Sequence, residues 1–394
     1  MSFTSNPHAQ ADKVYLDLVI TNLDTTTQAP PTLYYNQTRN SPVISNPEDY
    51  YLSIIRFTLD TPTLPLFLPE IQPNQSNLNL NIYSVSLSWT NPATGINYSQ
   101  LEYIIYAPQD LSATVPQPPS QTTTGLQDNS TGYYYIYTFQ YWIYLINQTF
   151  TNCFNNLASQ VAAAGLALPT TNAPIMTFDT TTLIAILNCD VLGYNYTSSD
   201  YIKIYMNPAL FQLFSSFPFI IESFSVTNNN LNVLIETNTF GGANEIPFPP
   251  ISPTYTAIQV IQEYSTTALW SPITSIVFCS NTLPIVPTNI SAPAVYVDGT
   301  LFNNGNNSMV EQIITDFVSD TGFYKPNIVY NPTAQYRLIS LTGNRPIYNV
   351  DISVFWKDRI GALIPLKLGS GTTCTIKILF TKKGSDGSNG VSKF

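Results

Sequence analysis

Two runs near the C-terminus decide the fold: Ile347-Tyr-Asn-Val-Asp-Ile-Ser-Val-Phe-Trp356 and Thr372-Thr-Cys-Thr-Ile-Lys-Ile-Leu-Phe-Thr381. Side chains on a β-strand alternate between its two faces. In the first run Tyr348, Val350, Ile352, Val354 and Trp356 share a face; in the second Cys374, Ile376, Ile378 and Phe380 do, with Lys377 opposite. Each run predicts a strand with an apolar face toward a core and a mostly polar face elsewhere. Between them, Lys357-Asp-Arg-Ile-Gly361 reads as a charged turn closed by glycine, and Gly369-Ser-Gly371 as a hairpin turn. Strands this late in a chain need partners from upstream.

Working outward, residues 14–20 and 50–59 alternate in the same way, the second run being stopped by Pro62 and Pro65. Residues 78–89 and 98–106 form a predicted hairpin about the Asn91–Gly95 turn. Residues 255–264, 274–279, 323–330 and 334–341 read as further strands, and 25–46 as a polar loop. The middle differs in kind. A Pro/Gln/Thr/Ser-rich connector over 107–130 precedes a predicted helix over 139–164, with Phe139, Trp142, Ile143, Ile146, Phe150, Phe154, Leu157 and Val161 on one face and Gly165 as its stop. A short helix over 208–215 follows, with Asn207 as cap and Pro208 in its first turn, among strand-like runs at 201–206, 219–226 and 231–236; a Gly241-Gly242 loop then leads back to β structure. The expectation is a mainly β protein: a single jelly-roll β-sandwich built from residues 1–106 and 246–394, interrupted by an α+β insertion domain over 107–245.

Composition narrows the function class. Charged residues make up 10% of the 394, against about 25% in ordinary domains, and 30 prolines and 26 tyrosines accompany them. That pattern suits a structural or binding β protein. Net charge is −10 and unevenly spread: residues 57–324 carry one basic side chain, Lys203, against sixteen acids, while 325–394 carry ten basic residues and three acids. This predicts two environments, or else lysines that block pairing at an exposed strand edge. Cys153, Cys189, Cys279 and Cys374 are far apart in apolar runs and read as buried free thiols of a reducing compartment. The N-terminal residues lack the apolar core of a signal peptide, and no apolar run approaches the ~18 residues of a transmembrane helix.

Catalytic chemistry finds little footing. The one histidine, His8, sits in an N-terminal tail read as disordered, which removes His-dependent triads and metal sites. No phosphate-binding glycine motif occurs. Isolated acids in strand-like runs, Glu222, Glu236, Glu263 and Asp351, leave a paired-carboxylate glycoside hydrolase as a remote third reading. The Tyr133–Tyr137 run, with Tyr141 and Tyr144, would stack on sugars or pack against a core or a neighbouring subunit; a carbohydrate- or receptor-binding module is the second reading. The basic C-terminus lacks the interleaved aromatics of a dedicated nucleic-acid site.

Several blocks carry a resemblance: the Tyr133–Tyr137 run leading into 139–147, residues 201–211, Leu269-Trp270-Ser271-Pro272 with 273–277, Tyr336-Arg337, residues 350–361 and residues 377–383. In their order and number they make the chain similar to the penton (minor capsid) protein of virophages and polinton-like viruses, above all the Sputnik type. The first hundred residues match less sharply. The resemblance implies a jelly roll standing across a capsid shell, an insertion domain at its outer end, and homopentamers at the icosahedral vertices among a double jelly-roll major capsid protein. It implies location in the virion, with assembly in the host cytoplasm. It requires no cofactor, metal or catalytic residue, and leaves open contact with a host surface and weak contact with packaged DNA. Trp270, Arg337, Asp351, Trp356, Lys377 and Phe380 are the expected core or assembly positions.

Overall fold

The computed structural model describes residues 11–24, 31–73, 75–109, 127, 129, 132–222, 231–237, 244–250, 253–286, 294–297, 300–303, 312–318, 327–331 and 337–385. His8, most of the 107–130 connector, the Gly241-Gly242 turn, Tyr336 and parts of the runs at 219–226, 323–330 and 334–341 lie outside these residues. The chain divides into two compact units, Met1–Leu64 with Pro272–Phe394, and Pro65–Ser271.

The first unit holds two sheets. In one, Lys13–Thr21 pairs antiparallel with Thr373–Lys382 along its whole length, from Lys13 opposite Thr381 to Thr21 opposite Thr373. The same closing strand pairs on its other side with Tyr50–Asp60, which in turn pairs with Asn327–Tyr330 and Ile339–Ser340. The two ends of the chain thus share one sheet. The other sheet runs Thr300–Asn303, Ala294–Val297, Ala362–Pro365, Asn349–Lys357, Ser275–Cys279, Ile313–Phe317, with Tyr34–Thr38 also on Asn349–Lys357. Rings from the two sheets meet: Phe57 lies 5.0 Å from Phe278 and 5.1 Å from Phe317. Burial of such rings over two facing sheets is what holds a sandwich together.

The closing strand matches its pattern: Cys374, Ile376, Ile378 and Phe380 are buried and Lys377 lies on the other face. Asn349–Lys357 departs from expectation because both its faces are covered. Val350, Ile352, Val354 and Trp356 face the core with Phe278, while Phe355 joins Val277, Cys279 and Leu363 in a second buried cluster, and Tyr348 is exposed. The 357–361 turn forms as read: Asp358 Oδ1 accepts the Ile360 and Ala362 N–H groups, and Gly361 takes φ +89°, which glycine adopts without a Cβ clash. The Gly369–Gly371 turn is no hairpin. It carries the chain from Ala362–Pro365 in one sheet to Thr373–Lys382 in the other, and its Gly371 N–H donates to Asn22 O, which extends the pairing of the closing strand with the first strand. Tyr34–Thr38, read as loop, is a polar and mostly exposed edge strand.

The second unit contains the helix, Phe139–Ala163, capped by Thr138 and stopped at Gly165. Its apolar face packs on the hairpin Leu80–Thr90 and Asn97–Ile105, which continues through Ile202–Met206, Leu231–Val233 and Phe219–Ile221 as one sheet. A second sheet orders Glu245–Phe248, Tyr255–Ile261, Ile184–Asp190 and Ile175–Asp179. The short helix Pro208–Leu213 starts as read, with Asn207 Oδ1 accepting the Leu210 N–H at 3.0 Å. The 80–105 hairpin and the 255–261 strand belong to this unit, not to the sandwich in which the sequence reading put them. Alternation reveals a strand but not its partner, and only Pro65 and Pro272, at the crossings, mark where the chain changes units.

Candidate functional site

Among the described residues no group of three or more His, Cys, Asp or Glu side chains is placed to hold a metal ion. Two of the acids singled out as catalytic candidates, Asp351 and Glu222, are held by structural partners. Asp351, 1% exposed, accepts hydrogen bonds from Ser280 Oγ at 2.5 Å, Thr282 Oγ1 at 2.6 Å, Asn281 N–H at 2.9 Å and Thr282 N–H at 3.0 Å. Burial pushes its carboxyl up, but the bonds from Ser280, Thr282 and Asn281 outweigh that and hold it below the usual carboxylate range. It pins the 280–282 turn to the central strand. Glu222 likewise accepts from Tyr205 at 2.5 Å, Lys203 at 2.9 Å and Asn232 at 2.9 Å. Burial opposes its charge and these bonds win, lowering its pKa.

The remaining singled-out residues fall into two groups. Trp356 and Phe380 are core of the first unit, with Trp356 opposite Ile276 and Ile364, and Phe380 between Val14 and Leu52. Trp270 is core of the second unit: its indole N–H donates to the Leu213 carbonyl at 2.9 Å, and Phe214, Phe139 and Phe178 surround the ring at 5.3, 5.7 and 5.8 Å. Arg337 and Lys377 lie at the surface. Arg337 pairs with Asp316 at 2.5 Å; Lys377 sits 3.4 Å from Asp17 and 5.4 Å from the Tyr15 ring centre.

The first three tyrosines of the Tyr133–Tyr137 run are core as well. Tyr133, Tyr134 and Tyr135 are buried, and their hydroxyls reach backbone carbonyls where the contact is resolved, Tyr134 to Leu78 and Tyr135 to Asn129. Burial pushes the Tyr134 phenol up to about 12. Of the tyrosines weighed between stacking on sugars and packing, Tyr133, Tyr134 and Tyr135 pack, while Tyr137 and Tyr144 are exposed. The four cysteines are free and buried, as read.

Sequence reasoning missed the outer face of the terminal sheet. The row Val19, Thr375, Thr58, Val329 crosses four strands on it, with both valines 64% exposed and Tyr15 54% exposed nearby. The signal was present in the odd positions of residues 13–21, which carry Tyr15, Asp17 and Val19.

Comparison with known proteins decides the role. A family model described as Sputnik minor capsid protein V18/19 matches residues 14–382. The chain belongs to that family. It is a structural minor capsid protein and not an enzyme. This minor capsid protein is 32% identical over 155 residues to uncharacterized protein V18 of Sputnik virophage, covering 39% of the present chain and 89% of that protein. It is 31% identical over 197 residues to structural protein V19 of the same virophage, covering 48% and 85%. A chain of the Sputnik virophage cryo-EM structure superposes with TM-score 0.76 at 27% identity over 95% of this chain and 99% of its own. The mavirus penton protein superposes with TM-score 0.57 at 15% identity over 94% and 99%, a likeness of fold. The minor capsid protein is therefore mainly β with a jelly-roll sandwich, and it takes its place in the virion beside other capsid proteins. No helix among its described residues is long and apolar enough to cross a membrane.

Proposed function

We propose that five copies of the chain close a ring at each icosahedral vertex, seated among a double jelly-roll major capsid protein. The observation that carries this reading is the fold shared along nearly the whole chain with both a Sputnik virion chain and the mavirus penton protein. The terminal sandwich builds the shell, and the 65–271 unit, inserted between its strands, is the surface offered to solvent and to a host.

Charge supports that division. The 65–271 unit holds eleven acids and one base, so it carries the entire net −10; the terminal unit holds thirteen of each and is formally neutral. An acidic surface keeps particles apart and soluble, whereas neutral walls pack side by side without like-charge repulsion. Contact with packaged DNA is a lesser role, because Lys377 and Arg337 already pair with carboxylates. Assembly belongs to the host cytoplasm, where thiols such as the four buried ones stay reduced.

Mass photometry of the chain, alone and mixed with the major capsid protein, tests the ring. A species near five times the 43.7 kDa chain is expected. A chain that stays monomeric under both conditions excludes the vertex role.

A further inference from the structure

We infer that the outer face of the terminal sheet, centred on the Val19–Thr375–Thr58–Val329 row, is the wall through which each copy meets the next in the ring. The inference rests on the pentameric reading and says which surface makes it. Four neighbouring strands present a row made only of β-branched residues with no charge. Thr58 and Thr375 satisfy one another at 2.5 Å, so the row presents methyl groups with little unpaired polar surface. Large apolar side chains at 64% exposure on both ends of one row are a contiguous patch, not isolated exceptions.

The next row is Asp17, Lys377 and Arg56, in which Lys377 pairs with Asp17. That mixture is too weakly basic for a polyanion and too weakly acidic for a basic partner. A second copy fits, because a neutral unit meets itself without charge repulsion, while the −10 units would not.

The strand edge adds backbone groups. Lys382 N–H donates to Asp12 O, and Asn22 N–H to Thr372 O, so the even-numbered residues of the first strand turn their backbone toward the closing strand. The odd ones, Tyr15, Asp17, Val19 and Thr21, turn theirs to the open edge, where no described strand pairs. An edge of nine residues paired to the closing strand without a register shift is a contact site unless something covers it. The exposed part of the face, four strands about 4.8 Å apart over the four residues of Asn327–Tyr330 rising about 3.3 Å each, is a strip of roughly 250 Å², and Ser53, Leu379 and Thr381 farther along the same face are buried. That is a fraction of the ~800 Å² per partner of a standard interface, so the strip is the centre of a larger contact, and a ring has every copy bury it as well as the different surface of its neighbour that receives it.

The test is the double variant Val19→Asp/Val329→Asp in the full chain, beside Ile96→Asp, 53% exposed, as a surface control in the other unit. Both valines point to solvent, and the circular dichroism and melting temperature of the monomer should stay at wild-type values. Mass photometry should show the concentration for half-assembly rising at least about 100-fold in the double variant and unchanged in the control. Wild-type rings with double-variant rings of equal stability overturn the inference and leave the vertex role standing, as does equal loss in the control. Wild-type dimers that vanish in the double variant also overturn it, since a face that pairs with itself does not close a five-fold ring. Absence of wild-type rings overturns the vertex reading itself.

Discussion

The ring of Phe57, on the sheet that joins the two chain ends, lies 5.0 Å from the ring of Phe278 on the opposite sheet. One stands 221 residues from the other, and their contact makes the sandwich a single body. Trp356 is the largest side chain beside them, buried with Ile276 opposite. Replacing Trp356 with Ala should cost about 3–5 kcal/mol, read as a lowered denaturation midpoint with an unchanged slope. An unchanged midpoint would place Trp356 outside the core.

Asp351→Asn keeps the shape but gives up the charge that four donors address, and should cost about 1–3 kcal/mol near neutral pH. The folded pKa lies below the unfolded value of 3.8, so this stabilisation is fully present above 3.8 and is lost as pH falls through the lower folded value. Melting temperatures of wild type and variant should therefore converge below about pH 3.8. A gap that stays constant to pH 2 would mean that charge has no part in it.

In the 65–271 unit, Trp270→Phe retains a ring among Phe214, Phe139 and Phe178 and removes the donor to Leu213. Because Thr266 Oγ1 still donates to that carbonyl, the loss should be small, about 0.5–1.5 kcal/mol, while Trp270→Ala should cost about 3–5 kcal/mol. Equal losses in the two variants would show that the hydrogen bond, and not the ring, matters.

The thiols should be silent in the native state. Burial pushes Cys153 and Cys374 up to about 12 and Cys189 well above its ordinary value. Iodoacetamide at pH 8 should label none of the four cysteines until the chain is unfolded, as followed by intact mass. Labelling of Cys374 in folded protein would mean that the closing strand opens.

Much of this was legible in residues whose neighbours are close in sequence. The closing strand, the first strand, the 80–105 hairpin and the helix at 139–163 all read correctly, because period and caps are local properties. Pairing is not local. Nothing in residues 80–105 says that they join Ile202–Met206 and not Tyr50–Asp60, and that is why the hairpin went to the wrong sheet. Tyr34–Thr38 was missed because an exposed edge strand needs no apolar face, and the short strands Ile175–Asp179 and Ile184–Asp190 were not read from the sequence at all. The assembly wall stayed hidden for the opposite reason: Val19 and Val329 are ordinary strand valines until the fold sets them on one row.

The central claim is that this sandwich, closed by both chain ends, forms the five-fold vertex. A cryo-EM reconstruction of purified particles tests it directly. The account predicts five copies around each five-fold axis, with the sheet of Lys13–Thr21, Thr373–Lys382 and Tyr50–Asp60 turned toward the next copy. Vertex density that fits another protein, with this chain elsewhere in the shell, would contradict it.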